Sequence, residues 1–297
     1  MFAALANRAW VYVYPSLRRR VTEALAMPAS HNTDMAREWS PGWLSALVLA
    51  AVLAPGCLSG EHRHEPLVIF AAASLTDVFT AVATDFEVAH PDIDVKVSFA
   101  GSQSLRTQIE QGARPQLFAS ANARHMDALR RRGLAAEPVI FAYNTMVIVV
   151  PAKNPAGITS VEDLPRAERI VLAGEAVPAG SYAERVLLKA RSVYGADFAS
   201  RINASIVSRE PNVRAVLQKV VLGEADAAIV YASDARAAGT RVGVISIPRG
   251  LNVMASYPIA AVTGASGSPL GQQYMDYLLS TAGAATLERF GFSAARP

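Results

Sequence analysis

Cysteine is almost missing from this chain: Cys57 stands alone among 297 residues, which excludes a disulfide framework and any multi-cysteine metal site. Charge is scarce and nearly balanced, with 28 Lys and Arg against 25 Asp and Glu, a formal +3. Residues 1–57 hold five Arg against three acids, so the remainder is close to neutral. Nucleic acid is therefore excluded as a partner, because phosphate-backbone binding needs a concentrated basic face. The histidines number five, His31, His62, His64, His90 and His125, and none forms a metal-ligand spacing with Cys57. No Gly-x-Ser-x-Gly elbow and no P-loop occurs, so no cofactor is expected and the chain does not read as an enzyme. The apolar run Trp43–Leu53 is too short for a comfortable membrane span. What is plentiful is hydrophobic residue, 52%; removing a targeting segment leaves roughly 240 residues, enough for two lobes with a dry interior.

The short apolar run fits an export signal. Leu53-Ala54-Pro55-Gly56-Cys57 resembles a bacterial lipoprotein processing site, so Cys57 is the expected lipidation residue, with simple cleavage nearby as the alternative. Arg18-Arg19-Arg20 and Glu23 lie far upstream of the run, whereas Met35-Ala36-Arg37 supplies a basic head directly before it. Translation is therefore expected to start at Met35. Residues 1–57 form the targeting segment and 58–66 a tether holding His62 and His64. The expected location is periplasmic or at the cell surface, with membrane contact through the lipid alone.

From Leu67 onward, strand-like and helix-like segments alternate with short connections, which implies βαβ units. Leu67–Ala73 reads as a buried strand, and Leu75, Val78, Phe79, Val82 and Phe86 follow at helical spacing. Ile93, Val95, Val97 and Phe99 alternate as a second strand leading to a helix from Gln103 to Gln111. Gln116–Ala121 reads as a third. Met146–Val150 and Ser256–Thr263 are expected crossover strands between lobes. Between them Ile170–Ala173, Ala204–Val207, Ala227–Tyr231 and Val244–Ile247 are further strands. The expected lobes are 67–145 with 256–297, and 146–255.

Four segments share one design, an apolar run ending in small or hydroxylated residues where a helix begins: Phe70–Leu75, Phe99–Gln103, Val177–Ser181 and Glu210–Arg214. A helix N-terminus carries unpaired N–H groups and about half a positive charge, so it seats anions. Ser74 and Ser102 are expected at helix N-cap positions, each adding a hydroxyl. Pro178-Ala179-Gly180 leaves the main chain approachable, and Tyr231 ends a strand with a phenolic O–H. Each residue has a plain alternative: a serine before a helix caps it, Tyr231 and Val213 fill a core. Asp77, Glu184 and Asp234 are placed in first helical turns, where they complement the dipole.

The strings Phe70–Asp77, Ser98–Leu105, Val177–Ala183, Asn212–Arg214, Ile229–Ala235 and Phe290-Gly291-Phe292 resemble the periplasmic molybdate-binding proteins of ABC importers, the ModA family, over residues 67–297. The resemblance implies a type II periplasmic-binding-protein fold, two α/β lobes with mixed sheets joined by two crossover strands. It also implies a monomer that carries molybdate or tungstate to a membrane permease. The ligand residues it implies are Ser74 and Ser102 through their hydroxyls, Ala179 and Val213 through backbone N–H groups, and Tyr231 through its hydroxyl. Molybdenum would enter only as the oxyanion. Arg114-Pro115-Gln116 departs from the family's Pro-Ala-Asp, leaving open a shift in ligand preference or a change remote from the cleft. Two other readings stay open: a binding protein for sulfate, phosphate or an organic anion, marked by arginines aimed at the cleft with Arg214 the one candidate, and a hydrolase using Ser74 or Ser102.

Overall fold

The structure, a computed structural model, describes residues 66–265 and 269–295. The expected export segment, the Met35 start, Cys57 and the His62–His64 tether lie outside the described residues. The chain opens with β1 (Leu67–Ala72), a 3-10 turn (Ala73–Leu75) and α1 (Thr76–Ala89). There follow β2 (Val95–Ala100), α2 (Ser102–Glu110), β3 (Leu117–Ala119), α3 (Ala123–Arg131) and the long β4 (Val139–Pro151). Next come β5 (Ile170–Ala173), α4 (Pro178–Tyr194), α5 (Asp197–Ala204), β6 (Ile206–Glu210), α6 (Val213–Val221), β7 (Ala227–Tyr231) and α7 (Ala232–Ala238). The last elements are β8 (Val242–Ser246), β9 (Met254–Ala261), α8 (Leu270–Leu279), α9 (Thr281–Arg289) and β10 (Ser293–Ala294).

Strand order runs β2-β1-β3-β9-β4-β7-β5-β6, with β8 and β10 also paired to β4. The β1–β2, β1–β3, β5–β6 and β5–β7 pairs are parallel, as short βαβ connections require. Every antiparallel pair involves β4 or β9. β4 belongs to both lobes: Val139–Thr145 pairs with β9, and Met146–Pro151 pairs with β7 and β8. At the handover the Asn252 side chain brackets Met146, its Oδ1 accepting from the Met146 N–H at 3.0 Å and its Nδ2 donating to the Met146 carbonyl at 2.8 Å. A side-chain amide thus replaces the ladder partner the backbone lacks where one sheet ends and the next begins.

The apolar strands are buried because helices cover both faces of parallel sheets. On the first lobe Phe86 of α1 packs edge-on against Tyr274 and Tyr277 of α8 at 5.3 and 5.6 Å between ring centres. Thr286 of α9 donates to Asp85 of α1 at 3.3 Å. The C-terminal helices therefore seat on the lobe that begins the chain. Gln116 resolves the Arg114-Pro115-Gln116 departure: its Oε1 accepts from the Val68 N–H at 2.8 Å and its Nε2 donates to the Pro66 carbonyl at 3.3 Å. It clasps the start of β1 and does not line the cleft between the lobes.

Candidate functional site

Each parallel strand ends where a helix starts, and five such junctions enclose one cavity between the lobes. Ser74 after β1 and Ser102 after β2 face it from the first lobe. Ala179 after β5, Val213 after β6 and Tyr231 at the end of β7 face it from the second. The structure thus brings all five residues singled out in the sequence around one cavity, and among the described residues that line it none is charged. All five are at least 97% buried. The space left between them is about 10 Å³, close to the room one water molecule needs.

The two serines are not N-caps, contrary to expectation. Ser74 lies inside the 3-10 turn, with Ala72 and Leu75 at the cap positions of the turn and of α1. Ser102 is the first residue of α2, whose N-cap is Gly101. Capping therefore does not occupy their hydroxyls. The Ser102 Oγ accepts from the Ala121 N–H at 3.0 Å, and the Ser74 Oγ accepts from the Tyr257 hydroxyl at 3.3 Å. An oxygen that already accepts is left with its own proton to donate. Neither serine is hydrogen-bonded to a histidine or a carboxylate among the described residues.

On the second lobe the donors are two main-chain amides and one phenol. Pro178 opens α4 and has no N–H, so Ala179 supplies the first free amide of that helix. At α6 the Asn212 Oδ1 accepts from the Ala215 N–H at 3.0 Å, which leaves the Val213 and Arg214 amides without a partner inside the helix. Tyr231 is 1% exposed and its hydroxyl has no partner of hydrogen-bond geometry. Burial, reinforced by Tyr257, Tyr182 and Asp234, pushes its phenol well up, so it stays protonated and a donor. Hydroxyls, amides and two helix N-terminal ends thus line the cavity with hydrogen-bond donors and no charged side chain.

Polar residues outside the five surround the cavity. Tyr257, fully buried on β9, orients Ser74 across 183 positions of sequence. Three contacts join the lobes around the cavity. Arg214 Nη2 meets Asp77 Oδ2 at 2.6 Å, Gln103 Nε2 donates to the Pro211 carbonyl at 2.7 Å, and His125 Nε2 donates to the Ala176 carbonyl at 2.8 Å. Burial lowers the His125 pKa, so the ring stays neutral. Arg214 also reaches Asp234 Oδ1 at 2.8 Å through its Nε; it faces two carboxylates and does not line the cleft. Glu184, placed by the sequence in a first turn, lies in the second turn of α4 and pairs with Arg209 at 3.0 Å.

The sequence pattern of the family described as bacterial extracellular solute-binding protein matches residues 67–293. The molybdate-binding protein ModA of Mycobacterium tuberculosis (strain H37Rv) is 37% identical over 265 residues, covering 86% of this chain and 97% of that protein. Among solved structures, the periplasmic molybdate-binding protein of Azotobacter vinelandii superimposes with a TM-score of 0.68 at 16% identity, over 77% of this chain and 100% of that one. The sulfate-binding protein SubI of Mycobacterium tuberculosis gives 0.69 at 19% identity, over 79% and 88%. One fold thus serves two named cargoes, and the fold alone does not choose between them. With two α/β lobes, a cleft at the strand ends and a relative this close, the chain belongs to the bacterial extracellular solute-binding proteins and, within them, sits with the ModA proteins.

Proposed function

We propose that this protein captures molybdate or tungstate between lobe 1 (67–145 and 256–297) and lobe 2 (146–255) and delivers it to the permease of an ABC importer. The observation that carries the reading is the convergence of three hydroxyls and two helix-end amides on one cavity with no charged lining residue. A tetrahedral dianion accepts hydrogen bonds at every oxygen and donates none, which matches a lining of donors. Protonated phosphate fits worse, because burying its proton without an acceptor costs about 1–3 kcal/mol. Ser74, Ser102 and Tyr231 would give O–H donors, and Ala179 and Val213 would give N–H donors from helix ends. Ligand contacts from both lobes would favour the shut arrangement, and that arrangement would be what the permease recognises. Sulfate carries no proton either, so size must separate it from molybdate. The protein would act as a monomer outside the cytoplasm, exported by the segment before Cys57 and tethered there by lipid.

A thermal-shift series with molybdate, tungstate, sulfate and phosphate tests this. At 100 times its dissociation constant a specific ligand should add about 2.7 kcal/mol of stability. Molybdate and tungstate should respond alike and the others far less; equal responses to all four anions reject the reading. Ser74→Ala, Ser102→Ala and Tyr231→Phe should each weaken molybdate binding, and the two serine substitutions should also lower the unliganded melting point, because each leaves a buried donor, the Tyr257 hydroxyl or the Ala121 N–H, without its acceptor. For Tyr231→Phe it should hold or rise, because a buried hydroxyl without a partner costs about 1–3 kcal/mol and the substitution removes it. Stability lost with affinity intact would make all three structural.

A further inference from the structure

Beside the neutral cleft, and sharing Ser74 with it, lies a larger cavity of about 420 Å³. Its chemistry is the opposite. Four arginines line it, Arg214 on α6, Arg236 on α7, Arg241 just after α7 and Arg289 at the end of α9, with Asp77 as the one lining carboxylate. Arg214 is already matched by Asp77 and Asp234. The other three are matched less well: Arg236 makes no ion pair among the described residues, Arg241 donates to the neutral carbonyls of Ala237 and Ala238, and Arg289 reaches Asp85 only at 3.9 Å. Two arginines without an ion pair among the described residues, Arg236 and Arg241, thus gather with the loosely paired Arg289 in one concavity of a chain whose formal net charge is +3. They come from both lobes, Arg236 and Arg241 from the second and Arg289 from the first, where Arg289 also lies over the Phe290 ring at 5.4 Å.

We propose that this cavity is a second anion site, separate from the oxyanion cleft, for a small organic anion bearing two or more carboxylate or phosphate groups. Guanidinium forks pair bidentately with carboxylate and phosphate. Three of them on separate elements suit charges spread over a molecule rather than packed on one atom. The volume lies in the range of small-molecule pockets, about 300–1,000 Å³, and far exceeds what a lone tetrahedral oxyanion fills. Arginines gathered at the cleft were the sequence sign of a different cargo; the structure places them next door, so the cleft keeps its neutral lining.

Calorimetric titration of the purified full-length protein tests the site, with citrate as the carboxylate probe and 2-phosphoglycerate as the phosphate probe. Ionic strength is matched with sodium chloride, since exposed charges are screened. Each titration is run with and without molybdate, so that a failure of the cleft reading leaves this result readable. One of the two probes should bind one-to-one in both states, and which one does identifies the anionic group preferred. Arg236→Ala/Arg289→Ala removes two exposed side chains and should weaken that binding at least about tenfold, the loss expected when charge-assisted hydrogen bonds go. Molybdate affinity should not change in this variant. The proposal is overturned if neither probe binds at millimolar concentration, if the variant binds as well as the parent, or if molybdate and the probe displace one another.

Discussion

Asp234 is a carboxylate that burial makes costly to ionise. It is fully buried, directly after the strand that delivers Tyr231, and neither carboxylate oxygen has a hydrogen bond of good geometry. Burial pushes its carboxyl up to about 7, although Arg214 at 2.8 Å and the Tyr231 backbone pull the other way. In the unfolded chain an aspartate titrates near 4. Between about pH 4 and 7 the folded protein therefore holds a proton that the unfolded chain has released, and stability must fall as pH rises through that window. Three units correspond to a loss on the order of 4 kcal/mol. Asp234→Asn cannot ionise, so its stability relative to the parent should climb across the same window, measured by urea unfolding at pH 4.5, 6 and 7.5. A difference that stays flat with pH would place the titration elsewhere. Asp163 works in the opposite sense and in a separate range: hydrogen bonds from Thr159 hold its carboxyl at about 2, so its contribution fades only as pH falls below about 4.

Close approach of α4 to β5 sets where the first turn of α4, with Ala179, meets the cleft, and Gly180 permits it. A β-carbon there would collide with the carbonyls of Ala173 and Gly174. Gly180→Ala should push the first turn of α4 outward, costing about 1–3 kcal/mol of stability and weakening oxyanion affinity together, read by urea unfolding and titration. Affinity unchanged at reduced stability would remove Ala179 from the site. The Pro178-Ala179-Gly180 signal was visible in the sequence because strand end, proline and glycine are local features, and Ile170–Ala173 and Ala227–Tyr231 match the observed strands residue for residue. Other parts were hidden for physical reasons. The first half of β4, Val139–Thr145, mixes exposed and buried positions and becomes a strand only through β9 and β10, more than a hundred residues away. β6 was read as Ala204–Val207 but runs Ile206–Glu210; it is an edge strand whose Arg209 and Glu210 pair with Glu184 and Lys219, so its outer half looks like loop. Val213 rested on family likeness, and Tyr257, bonded to Ser74 from the far end of the chain, left no local trace.

At the cavity three contacts tie one lobe to the other, beside the buried hydrogen bond from Asn144 to Ser233 at 2.8 Å. The Asp77–Arg214 pair is part exposed, 41% and 27%, so it contributes roughly 0–1 kcal/mol; the Gln103–Pro211 and His125–Ala176 hydrogen bonds add about 1 kcal/mol each. Gly101 makes the second of these approaches possible, since a β-carbon on it would meet the Pro211 carbonyl. With these contacts formed the cleft retains about 10 Å³, too little for a tetrahedral oxyanion to enter. Entry must therefore pass through an open arrangement, and the association rate is scaled by its population. Asp77→Asn combined with His125→Ala removes about 1–2 kcal/mol of cross-lobe attraction without touching any of the five cage residues. The open fraction, and with it the association rate for molybdate, should rise about 5- to 30-fold, measured by stopped-flow tyrosine absorbance. Small-angle scattering of the unliganded variant should give a larger radius of gyration than the parent. If both quantities match the parent, the lobes are held by the handover at Met146 and Asn252 and the three contacts are passengers.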